Sequence, residues 1–140
     1  MAYLFDTNAV SEAMRPGPNK EYVDWLGGLP REEQFTSSVV IGEMFAGAYA
    51  SPATAKWLSR IETLVLPSMT VLNFDVATAH EYGKVRALLR KSGQVIDEAD
   101  MMIAATALRH DLTLVTANVA HFSRVPGLTI RSFTPGTIVR

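Results

Sequence analysis

Fifteen residues, Ile96 to His110 (IDEADMMIAATALRH), constrain the fold of this chain more than any other stretch. Three acids, Asp97, Glu98 and Asp100, crowd its start, where the positive end of a helix macrodipole favours negative charge. Behind them Met101, Ile103, Ala104, Ala105, Ala107 and Leu108 leave almost no polar face, so the spacing predicts a helix packed on several sides. The small Ala side chains let a neighbour come close, which holds the acidic tip rigidly at the edge of the core. Such a tip has two readings: a cap, with Asp97 at the N-cap and Asp100 three residues on, or a place to hold a cation. Acids elsewhere in the chain must decide.

Ala2 to Phe5 is a short apolar run that stops at Asp6, the pattern of a buried strand delivering a carboxylate to a sheet edge. Thr7 and Asn8 offer caps for a short helix through Met14, and Asn19 for one carrying Tyr22, Val23, Trp25 and Leu26 until Gly27 and Gly28 stop it. Gln34 to Ser37 reads as a second strand. Ser38 caps an apolar helix, VVIGEMFAGAYA, whose one charge is Glu43. A carboxylate in such a helix must be neutralised, paired or met by a cation, unless it faces water through a gap in the pattern.

After Ser51 and Pro52, Trp57, Leu58, Ile61, Leu64 and Val65 recur at helical spacing up to Pro67. Val71 to Phe74 is a third strand. Asp75 caps a long helix predicted to turn Val76, Ala79, Tyr82, Val85, Leu88 and Leu89 inward and Lys84, Arg86, Arg90 and Lys91 outward, ending at Gly93. Its basic end is either a solvated helix terminus or an RNA patch. Leu112 to Thr116 is a fourth strand, Asn118 to Arg124 a short segment, and Leu128 to Arg131 a last strand. Strands alternating with helices predict an α/β layered domain with a mostly parallel sheet and a site at the carboxyl ends of its strands.

That topology brings Asp6, Glu43, Asp100 and Asn118 towards one edge. Two carboxylates ~4 Å apart repel by about 4 kcal/mol at an effective dielectric near 20, so a cluster of three implies a divalent cation or shared protons. The chain has no Cys, which excludes a thiolate zinc site, a disulfide and a cysteine nucleophile. An all-oxygen, His-poor site suits Mg²⁺ or Mn²⁺, the equipment for phosphodiester hydrolysis. With 13 Lys plus Arg against 14 Asp plus Glu the net charge is −1, so nucleic-acid contact would need a local basic patch. The amino terminus, MAYLFD, lacks the basic and apolar regions of a signal peptide, and no apolar run is long enough for a bilayer. A single cytoplasmic domain over residues 1–140 is expected.

In this order, LFDTNAVSE, SSVVIGEMFAGA, ADMMIAATALRHDLTLVTANVAHF and VPGL resemble the PIN-domain ribonucleases, and among them the VapC toxins of toxin–antitoxin pairs. The resemblance covers nearly the whole chain. It implies a three-layer α/β/α fold with a mostly parallel five-stranded sheet and Mg²⁺- or Mn²⁺-dependent cleavage of RNA. It also implies inhibition by a VapB-like antitoxin, whose carboxyl-terminal segment crosses the groove, and a homodimer. By residue, it implies Asp6, Glu43 and Asp100 as metal ligands and Asp97 as an additional acid nearby; Asn118, just past the fourth strand, is expected at the site, and Thr116 at that strand's end is either a supporting hydroxyl or without function. His80 and His110 read as structural or surface residues.

The chain departs from the pattern at His121, where relatives often carry an acid. An imidazole facing the cluster would favour Mn²⁺ over Mg²⁺; the alternative is that it points away, leaving Asn118 to serve the site alone. The expected antitoxin groove is lined by the helices of Trp25 and Trp57. A receiver-type phosphoacceptor fits poorly, because no Lys follows Lys91 and no acid pair ends the first strand. A catalytically silent binding module is the other rival.

Overall fold

The computed structural model describes residues 1–133 and 138–139, the last two through their backbone alone. Its strands are β1 (Tyr3–Phe5), β2 (Gln34–Ser37), β3 (Thr70–Leu72), β4 (Thr113–Thr116), β5 (Ile130–Ser132) and β6 (Ile138–Val139), in the order β3-β2-β1-β4-β5-β6. The five expected strands pair in parallel, as the helical crossovers between them require. The sheet is nevertheless one strand wider than expected, because β6 adds antiparallel to β5. A two-residue strand offers no periodicity to detect.

The helices are α1 (Thr7–Met14), α2 (Lys20–Gly27), α3 (Ser38–Ala50), α4 (Thr54–Arg60), α5 (Val76–Lys91), α6 (Glu98–Arg109) and α7 (Val119–Phe122). The stretch Ile96 to His110 behaves as its composition dictates: Met101, Ile103, Ala104, Ala105 and Ala107 of α6 are buried. Helix α5 packs along α6 and buries Val85 and Leu89. Its expected inward face is too wide, since Val76 is 87% and Leu88 48% exposed and Ala79 also faces out. Thr78 takes the buried place instead, with both its N–H and its hydroxyl donating to Asp75 Oδ1.

Three other local readings change. The cap of α3 is Ser37 and not Ser38, its hydroxyl accepting the Val40 N–H at 3.1 Å. Neither Thr7 nor Asn8 caps α1; Asp6 does, its carboxylate accepting the Ala9 N–H at 2.8 Å. The Trp57 helix is regular only to Arg60, then widens into a π turn over Ile61–Val65 and tightens to a 3₁₀ turn over Leu66–Ser68. Pro67 lacks an N–H and crowds the carbonyl four residues back, which a regular helix does not accommodate.

The topology fixes where a site can lie. From β1 the chain passes to β2 on one side, while β4 pairs on the other, so the strand order reverses between β1 and β4. The carboxyl ends of these two strands form the crevice in which open α/β sheets bind ligands. Asp6 directly follows β1, and Thr116 ends β4.

Candidate active site

Asp6 is only 5% exposed. Its N–H donates to Val115 O at 3.1 Å, continuing the sheet, while its side chain caps α1, so one residue belongs to both elements. Fully buried Thr116 hydrogen-bonds the Asp6 carboxylate through its hydroxyl. These bonds favour the anion, but desolvation outweighs them, and with the nearby charges of Asp100 and Glu43 the carboxyl is raised to about 6.

Asp100 stands in the first turn of α6, and burial raises its carboxyl above the ordinary range, with the charges of Asp97 and Glu43 adding to the effect. His121 opposes it: its Nδ1 lies 3.7 Å from Asp100 Oδ2, the two side chains being 39% and 21% exposed. The same Nδ1 is 2.9 Å from Asn118 Nδ2. Asn118 in turn donates its backbone N–H to Thr116 Oγ1 at 2.9 Å. His121 therefore faces the acids, and Asn118 reaches the site on one side through His121 and on the other through Thr116. Asp97 occupies the N-cap position of α6 but makes no side-chain cap, so the capping role considered for it is not used.

Glu43 is placed differently. It is exposed on α3, and its Oε1 accepts a short hydrogen bond from the Thr7 hydroxyl. Thr7 is the member of the site that the sequence reading treated only as a cap. Its signal was adjacency, since it is the first side chain to clear the end of β1 after Asp6.

Glu43 and Asp100 thus lie close enough to Asp6 to disfavour its ionisation, and Glu43 close enough to Asp100 to do the same there. Among the described residues no lysine or arginine pairs with any of them. Nor do three His, Asp or Glu side chains close directly around one point. Loosely gathered carboxylates with a hydroxyl and an amide fit a small hard cation that keeps several waters and is held through one or two carboxylates. They do not form the tight all-protein cage of a structural metal.

A groove of about 740 Å³ opens beside the acids, lined by Thr7, Glu12, Glu43, Met44, Trp57 and Ile61 among others. Trp57 is at the groove as expected; Trp25 is not. Trp25 packs edge-on against Tyr3, stacks near Tyr22 and is covered by the Arg131 guanidinium 4.1 Å from its ring centre, so it belongs to the core around β1.

The family model for the PIN domain matches residues 3–128. The chain belongs to the PIN-domain family. This PIN domain is 36% identical over 124 residues to Toxin FitB of Neisseria gonorrhoeae, covering 85% of this chain and 89% of that protein. It is 38% identical over 128 residues to the tRNA(fMet)-specific endonuclease VapC of Shigella flexneri, covering 91% and 95% of the two. Among solved structures, DNA-bound VapBC from Salmonella typhimurium superposes with a TM-score of 0.87 at 28% identity, covering 95% of this PIN domain and 98% of that chain. Among the described residues no helix is long and apolar enough to cross a membrane.

Proposed function

We propose that this PIN domain is an endoribonuclease toxin that hydrolyses RNA phosphodiester bonds with Mg²⁺ or Mn²⁺ and is silenced by a VapB-like antitoxin lying in the groove. The observation that carries this reading is Asp6: a buried carboxylate, capping a helix at the switch point of the sheet, faced by two further acids and, among the described residues, paired with no lysine or arginine. Three acids that no described lysine or arginine neutralises are arranged to receive positive charge from outside the chain. Asp6 and Asp100, with Glu43 across the groove, would hold the cation, which when bound polarises the phosphate and supplies a nucleophilic water near neutral pH.

The protein's own part is to fix the donors. Thr116 orients the Asp6 carboxylate, Asn118 holds Thr116 and the His121 ring, and Thr7 holds Glu43. Relatives named as VapC ribonucleases support RNA as substrate, and one named for tRNA(fMet) makes tRNA the first to test. Solved neighbours such as the FitAB and VapBC assemblies support an antitoxin partner.

The test is cleavage of bulk tRNA by the purified protein with Mg²⁺, with Mn²⁺ and with chelator. Cleavage that needs the ion and disappears in Asp100→Asn supports the reading. Equal cleavage in Asp100→Asn, or none under any condition, overturns it.

A further inference from the structure

An acidic centre repels the phosphate chain it is proposed to cut, so RNA must be held by positive charge elsewhere along the groove. Several cations among the described residues are committed. Arg15, on the groove wall, pairs with Glu12 at 2.9 Å. Lys20, Lys84 and Arg86 pair with Asp24, Glu81 and Glu98, while Arg131 lies over Trp25. The basic end of α5 lies near the start of α6, where Arg86 reaches Glu98 at 3.1 Å, but among the described residues neither Arg90 nor Lys91 lies over an aromatic ring.

Lys56 and Arg60 stand one helical turn apart on α4, and among the described residues neither is in an ion pair. Both are held against Trp57, the Lys56 Nζ 5.6 Å and the Arg60 Cζ 5.2 Å from the ring centre. Trp57 lines the same groove as Glu43, and Gly47, one turn along α3 from Glu43, lines it between them. A π-face flanked by two unneutralised cations is the composition with which proteins hold single-stranded nucleic acid. The indole fixes two flexible cations in place beforehand, which lowers the entropy lost when they engage phosphates.

We propose that Lys56, Trp57 and Arg60 form an RNA-holding subsite, gripping phosphates of the strand that runs past the acids. This rests on the nuclease reading and adds to it the direction in which the strand lies, along the groove from Asp6 towards α4. The antitoxin would share that groove, so its inhibition would include exclusion of RNA from this subsite.

The test compares the parental protein with Lys56→Gln/Arg60→Gln, Lys56→Glu/Arg60→Glu and Trp57→Ala. RNA affinity is measured in an Asp100→Asn background with a labelled single-stranded oligoribonucleotide across a salt series. Turnover is measured in the otherwise parental background. The Gln pair should weaken binding about tenfold and lower the slope of log affinity against log salt by about 1.4, two phosphate contacts on a single strand. The Glu pair should weaken it further. KM should rise with kcat within about twofold, a split that damage to the acids would not give. Equal affinity and salt slope in all proteins overturns the subsite and leaves the nuclease reading standing, whereas a parental protein that neither binds nor cuts RNA overturns both. Weaker antitoxin association with unchanged RNA binding would assign the cations to the protein partner and likewise overturn the proposal. Unchanged melting of the two charge variants, whose side chains lie at the surface, guards against misfolding.

Discussion

The sheet side of the groove and its helical side treat their acids in opposite ways. On the sheet side Asp6 is locked from three directions, by the Val115 carbonyl on its backbone and by Ala9 and Thr116 on its carboxylate, in a setting dry enough to raise its pKa to about 6. Glu43, on the helical side, stands exposed on α3 with one hydroxyl, that of Thr7, as its hydrogen-bond partner. The difference separates two tasks. A rigid, desolvated carboxylate sets the position and strength of the field felt by a bound cation, whereas an exposed one on an apolar helix can shift to accommodate RNA or a partner segment.

The comparison breaks first if the buried acids can be neutralised at no cost to chemistry. Asp6→Asn keeps an oxygen for the Ala9 amide but loses the charge, and cleavage should fall about 100-fold or more, because the charge stabilisation a metal supplies is worth several kcal/mol. Steady-state tRNA cleavage measures this, and activity within about threefold of parental would remove Asp6 from the site.

Stability tests the same contrast without substrate. A carboxyl raised from 3.8 to about 6 favours folding while protonated; that contribution is complete below about pH 3.8 and lost as pH rises through about 6. It amounts to ~3 kcal/mol in full, about half of it between pH 5 and 7. Metal-free protein should therefore melt higher at pH 5 than at pH 7, and Asp6→Asn should flatten the difference. Asp100, raised in the same direction, adds to the trend. Calorimetry in chelator reads both; a parental melting temperature that climbs steadily from pH 5 to 7 contradicts the assignment.

Smaller effects sharpen the comparison. Thr116→Val removes the hydroxyl that orients Asp6 and should weaken Mn²⁺ binding about tenfold, as is usual for groups supporting metal ligands. Thr7→Val, on the exposed side, should cost only a few-fold in turnover, since Glu43 remains hydrated and can still reach the ion. Isothermal titration with Mn²⁺ and parallel kinetics rank the two, and a larger loss from Thr7→Val would invert the roles given to the walls. His121→Asp, which restores an acid beside Asp100, should tighten Mg²⁺ binding and shrink any Mn²⁺ preference in the same titration.

The features legible in the sequence are those governed by long or repeated patterns. The burial of α6 followed from its alanines and the parallel strands from the alternation of short apolar runs with helices. Asp6 was legible as the polar stop of an apolar strand. What stayed hidden depends on contacts between distant residues. Val76 and Leu88 fit a helical stripe, yet α5 packs chiefly against α6 and leaves them in water. Trp25 and Trp57 look alike as letters, but one meets Tyr3 and Tyr22 while the other meets a groove and two cations. Likewise Thr7 and Asn8 are good cap residues that lost the position to Asp6, whose extended backbone already points its carboxylate back over the first turn.

The double membership of Asp6 in strand and helix has a consequence for how the free protein fluctuates. The Ala9 amide proton is sealed by the same carboxylate proposed to hold the ion, and Ala9 is itself fully buried. The first turn of α1 cannot fray alone, because lifting it strips the cap from a residue whose own amide is tied to β4. Ala9 should therefore be among the slowest amides to exchange with deuterium despite lying at a helix start, where amides ordinarily exchange within the local fraying time. A backbone proton thereby becomes a native probe of the charge at Asp6, readable by NMR before any RNA or partner is added.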